Sequence, residues 1–145
     1  MILIDTREKH PWDFSFYSVK TKRVALPFGD YTVEGFEDKV VIERKASTGE
    51  LAINLGKEIS RFAAEFDRMR HVENKYVLCE FSSDDIAHFP LNSGIPKAKW
   101  KSIRMNSKFI FSRIESLSID YGLCFIFAGD RRWAEEKAYQ ILTSL

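Results

Sequence analysis

Lys39-Val40-Val41-Ile42-Glu43-Arg44-Lys45 is the stretch on which the reading of this chain turns. It follows a polar turn at Gly35–Asp38, and its apolar run marks it as the clearest β-strand in the sequence. Side chains alternate along a strand. Val41, Glu43 and Lys45 therefore share one face, and Val40, Ile42 and Arg44 share the other. A carboxylate and an amine then stand side by side at the end of an otherwise apolar strand.

Working upstream, Tyr31 to Glu34 reads as a strand that returns through the 35–38 turn, so Asp30 arrives beside the Glu43 strand. Pro27 and Gly29 break the chain just before it, and Val24 to Leu26 forms a further short strand. Residues 8 to 20, with His10, Pro11 and scattered aromatics, show no period and read as loop. Ile2 to Ile4 is a buried strand that delivers Asp5, with Glu8 in the turn that follows.

Downstream the period changes. Glu50 to Asn54 forms a short helix, and Ile59, Phe62, Ala63, Phe66 and Met69 recur at helical spacing over about 57–71. Tyr76 to Phe81 is an apolar strand, and residues 82–96 form an irregular loop rich in Ser, Asp, Asn, Gly and Pro. From Lys97 one long helix runs to about 119, with Ile103, Ser107, Ile110, Ile114 and Leu117 on one face, until Gly122 stops it. Leu123 to Phe127 is a second fully apolar strand, and Asp130 caps a last helix to about 144. Apolar strands of this kind need cover on both faces, so a mixed sheet flanked by helices is expected.

With 145 residues the chain fits one domain, and 45% hydrophobic with 30% charged residues suffices for a core. No stretch is long and apolar enough to span a bilayer, and the N-terminus lacks the pattern of a secretory signal. The expectation is an intracellular, cytoplasmic protein with no membrane partner. Cys79 and Cys124 sit in apolar runs as small buried hydrophobes, too few for zinc and unsuited to a structural disulfide. His10, His71 and His88 show no metal-ligand spacing, and Trp12 and Trp133 read as packing residues. No nucleophile elbow or Walker-type loop occurs.

The net charge is only +1, but it is unevenly spread. No acidic residue falls between Phe89 and Ile114, where Lys97, Lys99, Lys101, Arg104, Lys108 and Arg113 lie, whereas Asp5, Glu8, Asp30, Glu43 and Glu50 fall in the first part of the chain. One region suits cations and the other phosphates. Carboxylates bind Mg²⁺ through hard oxygen ligands, and a nearby lysine can orient or deprotonate water and offset developing negative charge. Chance patchiness, or an exposed strand end carrying a weak ion pair, would give the same bare pattern.

Asp30, twelve residues, then Glu43-Arg44-Lys45 resembles the Asp…(Asp/Glu)-x-Lys pattern of restriction-endonuclease-like enzymes. Together, Asp5-Thr6-Arg7-Glu8, Gly29-Asp30-Tyr31 and Ile42-Glu43-Arg44-Lys45 resemble the XPF/Hef family of structure-specific nucleases. Ser60-Arg61-Phe62 with Glu65 and Arg68, and Tyr121-Gly122 through Gly129-Asp130-Arg131, extend the likeness over nearly the whole chain. The resemblance implies an α/β, restriction-endonuclease-like mixed β-sheet flanked by helices, in one XPF-type domain over 1–145. It further implies a Mg²⁺-dependent DNA endonuclease, with Mn²⁺ as substitute, acting on branched, flapped or single-stranded-junction DNA in repair or recombination. Asp30, Glu43 and Asp5 would be metal ligands, Lys45 the catalytic lysine and Glu8 a support for metal and water. Arg7, Arg44 and Arg61 would contact phosphate or brace those that do. Homodimers through the late helices are also implied.

The chain departs from the family in two places. The fourth position after Lys45, an Asp in the family, is Gly49 here, with Glu50 one residue later. The helix-hairpin-helix module that often follows is not part of this sequence, as in stand-alone phage and bacterial versions. Lys97, Lys101, Arg104 and Lys108, with Trp100, would form one helical stripe that tracks DNA phosphates and stacks on an unpaired base. A solvated face is the alternative, as it is for Glu58, Arg61, Glu65 and Arg68 on the 57–71 helix. Rival readings are an inactive DNA-binding module or partner subunit, and a junction resolvase or exonuclease of the same superfold.

Overall fold

A computed structural model describes all residues 1–145. Its centre is a mixed six-stranded sheet in the order β2-β1-β3-β4-β5-β6. The strands are β1 (Ile2–Asp5), β2 (Thr21–Val24), β3 (Tyr31–Val33), β4 (Val40–Lys45), β5 (Asn74–Cys79) and β6 (Leu123–Phe127). β3 is antiparallel to both β1 and β4, and every other pairing is parallel. Asp5, Lys45 and Cys79 therefore end their strands at one edge of the sheet, where β3 begins just after Asp30. Open α/β sheets place functional groups at this edge, beyond the carboxyl ends of their parallel strands.

The alternation expected of β4 divides the core in two. Val41 packs with Val77 and Cys79 under α1 (Thr48–Leu55), α2 (Ile59–Arg68) and α4 (Ser107–Tyr121). Val40, Ile42 and Leu78 face the other way. They pack with Trp12, Phe14, Tyr31 and the apolar side of α5 (Arg131–Thr143). Helices thus cover both faces, as parallel strands require. Ser47, Asn106 and Asp130 cap α1, α4 and α5 by accepting backbone N–H bonds, and Gly122 ends α4 at φ 65°. No helix is long and apolar enough to cross a membrane.

Several expectations are corrected. The helix expected from Lys97 to 119 is two pieces, a 3-10 segment at Lys97–Ser102 and α4. The reason is Asn106, whose side chain accepts the Phe109 N–H at 2.9 Å and starts a new helix. The 82–96 loop contains a short helix, α3 (Ser83–Ala87), begun by a capping box between Ser82 and Asp85. The second strand lies at Thr21–Val24, earlier than expected. β6 is an edge strand covered only in part, which leaves Cys124 exposed. Trp12 is fully buried as expected, but Trp133 is 60% exposed on α5.

Candidate active site at the strand ends

The geometry begins with Glu43 and Lys45, which share the α2 face of β4 and are both buried. The Lys45 amine lies 3.4 Å from Glu43 Oε1 and sits over the Phe62 ring, 4.9 Å from its centroid. The other Glu43 oxygen, Oε2, is buried without a hydrogen-bond donor. Asp30 arrives from the neighbouring strand. Its Oδ2 accepts the backbone N–H of Arg44 at 2.7 Å, and its own N–H donates to the Ile42 carbonyl at 2.9 Å.

Electrostatics reflect this crowding. Burial, then the nearby Glu8 charge, raise Asp30 to about 6, against the lowering effect of the Arg44 N–H. Burial and then Asp30 hold Glu43 well above the usual carboxylate range, with Glu65 adding to the effect. Burial works against the charge on Lys45, but Glu43, Glu50, Asp30 and Glu65 outweigh it and raise the amine. Lys45 is thus held as an ammonium.

The opposite face of β4 carries Arg44, whose partners make it an anchor. Its guanidinium bonds Glu8 and Glu80 at 2.9 Å each, donates to the His10 carbonyl at 2.6 Å and lies 5.0 Å over the Trp12 ring. The same Glu80 oxygen accepts the Trp12 indole N–H at 2.7 Å, and Tyr31 donates its hydroxyl to Glu8 at 2.7 Å. Arg44 therefore fixes Glu8 and the 8–12 loop to the sheet, and is turned away from Glu43 and Lys45.

Asp5, expected among the metal ligands, sits beside this group. It is fully buried, Oδ2 accepts Arg7 Nε at 2.5 Å, and Oδ1 accepts the Leu26 N–H at 2.9 Å. With both oxygens engaged, Asp5 orients Arg7 and the 26–30 turn, and its backbone N–H donates to the Asp30 carbonyl at 2.9 Å. Residues 30, 43 and 45 are brought together; residue 5 braces them from beside.

Arg7 borders two clefts. One, about 380 Å³, is lined by Glu8, Arg44 and Glu50 among others, and the other, about 350 Å³, by Lys45, Arg61, Glu65 and Arg68. Asp30 and Glu43 line neither directly; Glu8 and Glu65 connect them to the two openings. Arg61 is 78% exposed and pairs with Glu58 at 2.9 Å. Glu50, in doubt from sequence, turns back to accept the Ala46 N–H at 3.1 Å.

Lys97, Lys101, Arg104 and Lys108 do not form one helical stripe, since the segment breaks after Ser102. Lys97 and Lys101 lie on the 3-10 segment, where Trp100 donates its indole N–H to the Ile95 carbonyl at 3.0 Å. Arg104 lies in the break and Lys108 on α4. Two carboxylates escaped the sequence reading of the site, Glu65 and Glu80. Glu65 carried a signal in the resemblance of its helix, whereas Glu80 carried none.

A mixed α/β sheet whose strand ends gather an acidic pair and a buried lysine defines a restriction-endonuclease-like domain. The chain belongs to the ERCC4 domain family, whose model matches residues 4–136. Among solved structures it is similar to XPF from Aeropyrum pernix in complex with DNA. That match has a TM-score of 0.71 and 19% identity, over 97% of this chain and 62% of that one. A second structure of XPF from Aeropyrum pernix matches with a TM-score of 0.70 and 20% identity, over 99% of this chain and 65% of that one. The chain thus spans a little under two thirds of those XPF chains, and the likeness is one of fold. No curated protein sequence matches it.

Proposed function

We propose that this domain is a divalent-metal-dependent DNA endonuclease that cuts phosphodiester bonds in branched, flapped or single-stranded-junction DNA, in repair or recombination. One observation carries the reading: the buried, donorless Glu43 Oε2, set beside Asp30 with Lys45 on its other oxygen. Mutually repelling carboxylates with an unmatched buried oxygen are relieved by a cation.

Asp30 and Glu43 would hold the metal. Their hard carboxylate oxygens suit Mg²⁺, an ion that keeps several waters; Mn²⁺ would substitute. When bound, the ion polarises the phosphate and lowers the pKa of attacking water. Lys45, kept as an ammonium, orients that water and offsets charge on the phosphorane-like transition state rather than taking the proton at rest. Arg7, held by Asp5 and bordering both clefts, is placed to take a flanking phosphate. In this reading the Lys97–Lys108 segment contacts the strand farther out, and the protein acts inside the cell, where its DNA substrate lies. Pairing of two copies through the late helices is part of this reading. Sedimentation over a range of concentrations checks that part, and a monomer throughout would end it.

The test is a panel of fork, flap, single-stranded and linear DNA with and without Mg²⁺, for the native chain, Asp30→Asn and Lys45→Ala. Mg²⁺-dependent cutting lost in both variants is expected. Equal cutting by either variant would refute the site, and binding without cutting on every substrate would favour a non-catalytic partner.

A further inference from the structure

Glu65 lies on α2, one turn after Phe62, the residue beneath the Lys45 amine. Its Oε1 accepts the backbone N–H of Gly29 at 3.1 Å, bridging 36 positions of sequence to the residue before Asp30. Only glycine fits at position 29. Its φ is +72°, and an added Cβ would overlap the Val41 side chain. The Glu65 carboxyl also lines one cleft with Lys45, Arg7 and Arg61, and its charge adds to the burial and to Asp30 in raising Glu43. Two carboxyls thus act on Glu43, Asp30 just before β3 and Glu65 on α2.

We propose that Glu65 is a positioning residue of the cation site: it pins Gly29 and Asp30 through the backbone and sets Glu43 against Asp30 with its charge. This rests on the metal reading above. A Glu at this place adds negative charge, which raises cation affinity with the charge count of the surrounding carboxylates. It also presents an acceptor for the Gly29 N–H, which fixes the backbone just before Asp30. Phe62 and Glu65 together make α2 the support of Lys45, Glu43 and Asp30.

The test is Mn²⁺ binding, followed by electron paramagnetic resonance of the free ion, together with thermal melting in metal-free buffer. Glu65→Gln keeps an acceptor for Gly29 and loses the charge; its Mn²⁺ dissociation constant should rise about tenfold with little change in melting temperature. Asp67→Asn, an equal loss of charge on the exposed side of α2, should leave binding unchanged. Should Glu65→Gln fail to fold, Glu65→Asp keeps the charge but withdraws it by one methylene, and weaker Mn²⁺ binding is again expected. Native-like affinity in the folded variant would overturn the role of Glu65. Absence of Mn²⁺ uptake by the native chain would instead overturn the metal reading beneath it.

Discussion

Gly49 donates its backbone N–H to the Ser93 carbonyl at 3.1 Å, so the loop before the 3-10 segment is seated on the first turn of α1. An added Cβ at position 49 would overlap that same oxygen and press on Ile95. The Asp that the XPF/Hef resemblance leads one to expect here is thus sterically excluded by the neighbouring loop. Gly49→Asp should not improve cleavage, and it should destabilise the fold by about 1–3 kcal/mol through overpacking. Urea denaturation of the variant measures this, and a native-like midpoint would contradict the packing.

Asp30 and Glu43 make stability depend on pH. Asp30 is raised to about 6, above the ordinary carboxylate value near 3.8, and Glu43 is shifted in the same direction. Between these values the folded chain holds more protons than the unfolded one. Stability therefore falls as pH rises from about 4 through about 6. After discounting for the partial exposure of Asp30, its share is roughly 1–2 kcal/mol. Metal-free protein should melt at lower temperature at pH 7.5 than at pH 5, and Asp30→Asn should flatten the difference. A melting temperature that rises over this interval and is untouched by Asp30→Asn would contradict the assignment.

Arg44 is enclosed by Glu8, Glu80 and the Trp12 ring. Arg44→Met leaves Glu8 without its cation and Glu80 with only the more distant Arg131, 4.0 Å away, and should destabilise by about 3–5 kcal/mol. Arg44→Met with Glu80→Gln should recover part of that loss, because the strongest unpaired charge is removed. Denaturant midpoints of the two single variants and the double decide the matter; additive losses would show that the pair is not coupled.

Lys97 and Lys101 offer exposed charge without acidic neighbours in sequence. Replacing both with Ala should weaken DNA binding and reduce the slope of log K against log salt by up to about 1.8, or about 0.9 for each phosphate contact. Fluorescence anisotropy over a salt series reads this directly, and an unchanged slope would remove the segment from the DNA path.

The sheet was largely legible because its signals are local. β4 carries an apolar run with chemistry at its end, and Gly29-Asp30-Tyr31 meets it through a short turn. Asn106 was overlooked because the apolar spacing through Ile103, Ile110 and Ile114 carries across the break, while a single side-chain cap decides the backbone. Glu80 was invisible for another reason: its partner Trp12 lies 68 positions away, and only the folded sheet unites them. Glu65 read equally well as a solvated helix face, since its bond to Gly29 is also long-range. For Arg44 the alternation placed it on the far face of β4, and the resemblance left it either at a phosphate or bracing its neighbours; its partners there make it an anchor.

Because Glu43, Arg44 and Lys45 are consecutive, β4 works as a partition with a different lock on each side. A slip of one residue would thrust the guanidinium toward Phe62 and Glu65 of α2 and drive the Glu43 carboxylate and the Lys45 amine against Trp12 and Tyr31. Both sides would reject the misalignment at once. The residues that would perform the chemistry therefore also proofread the strand that carries them.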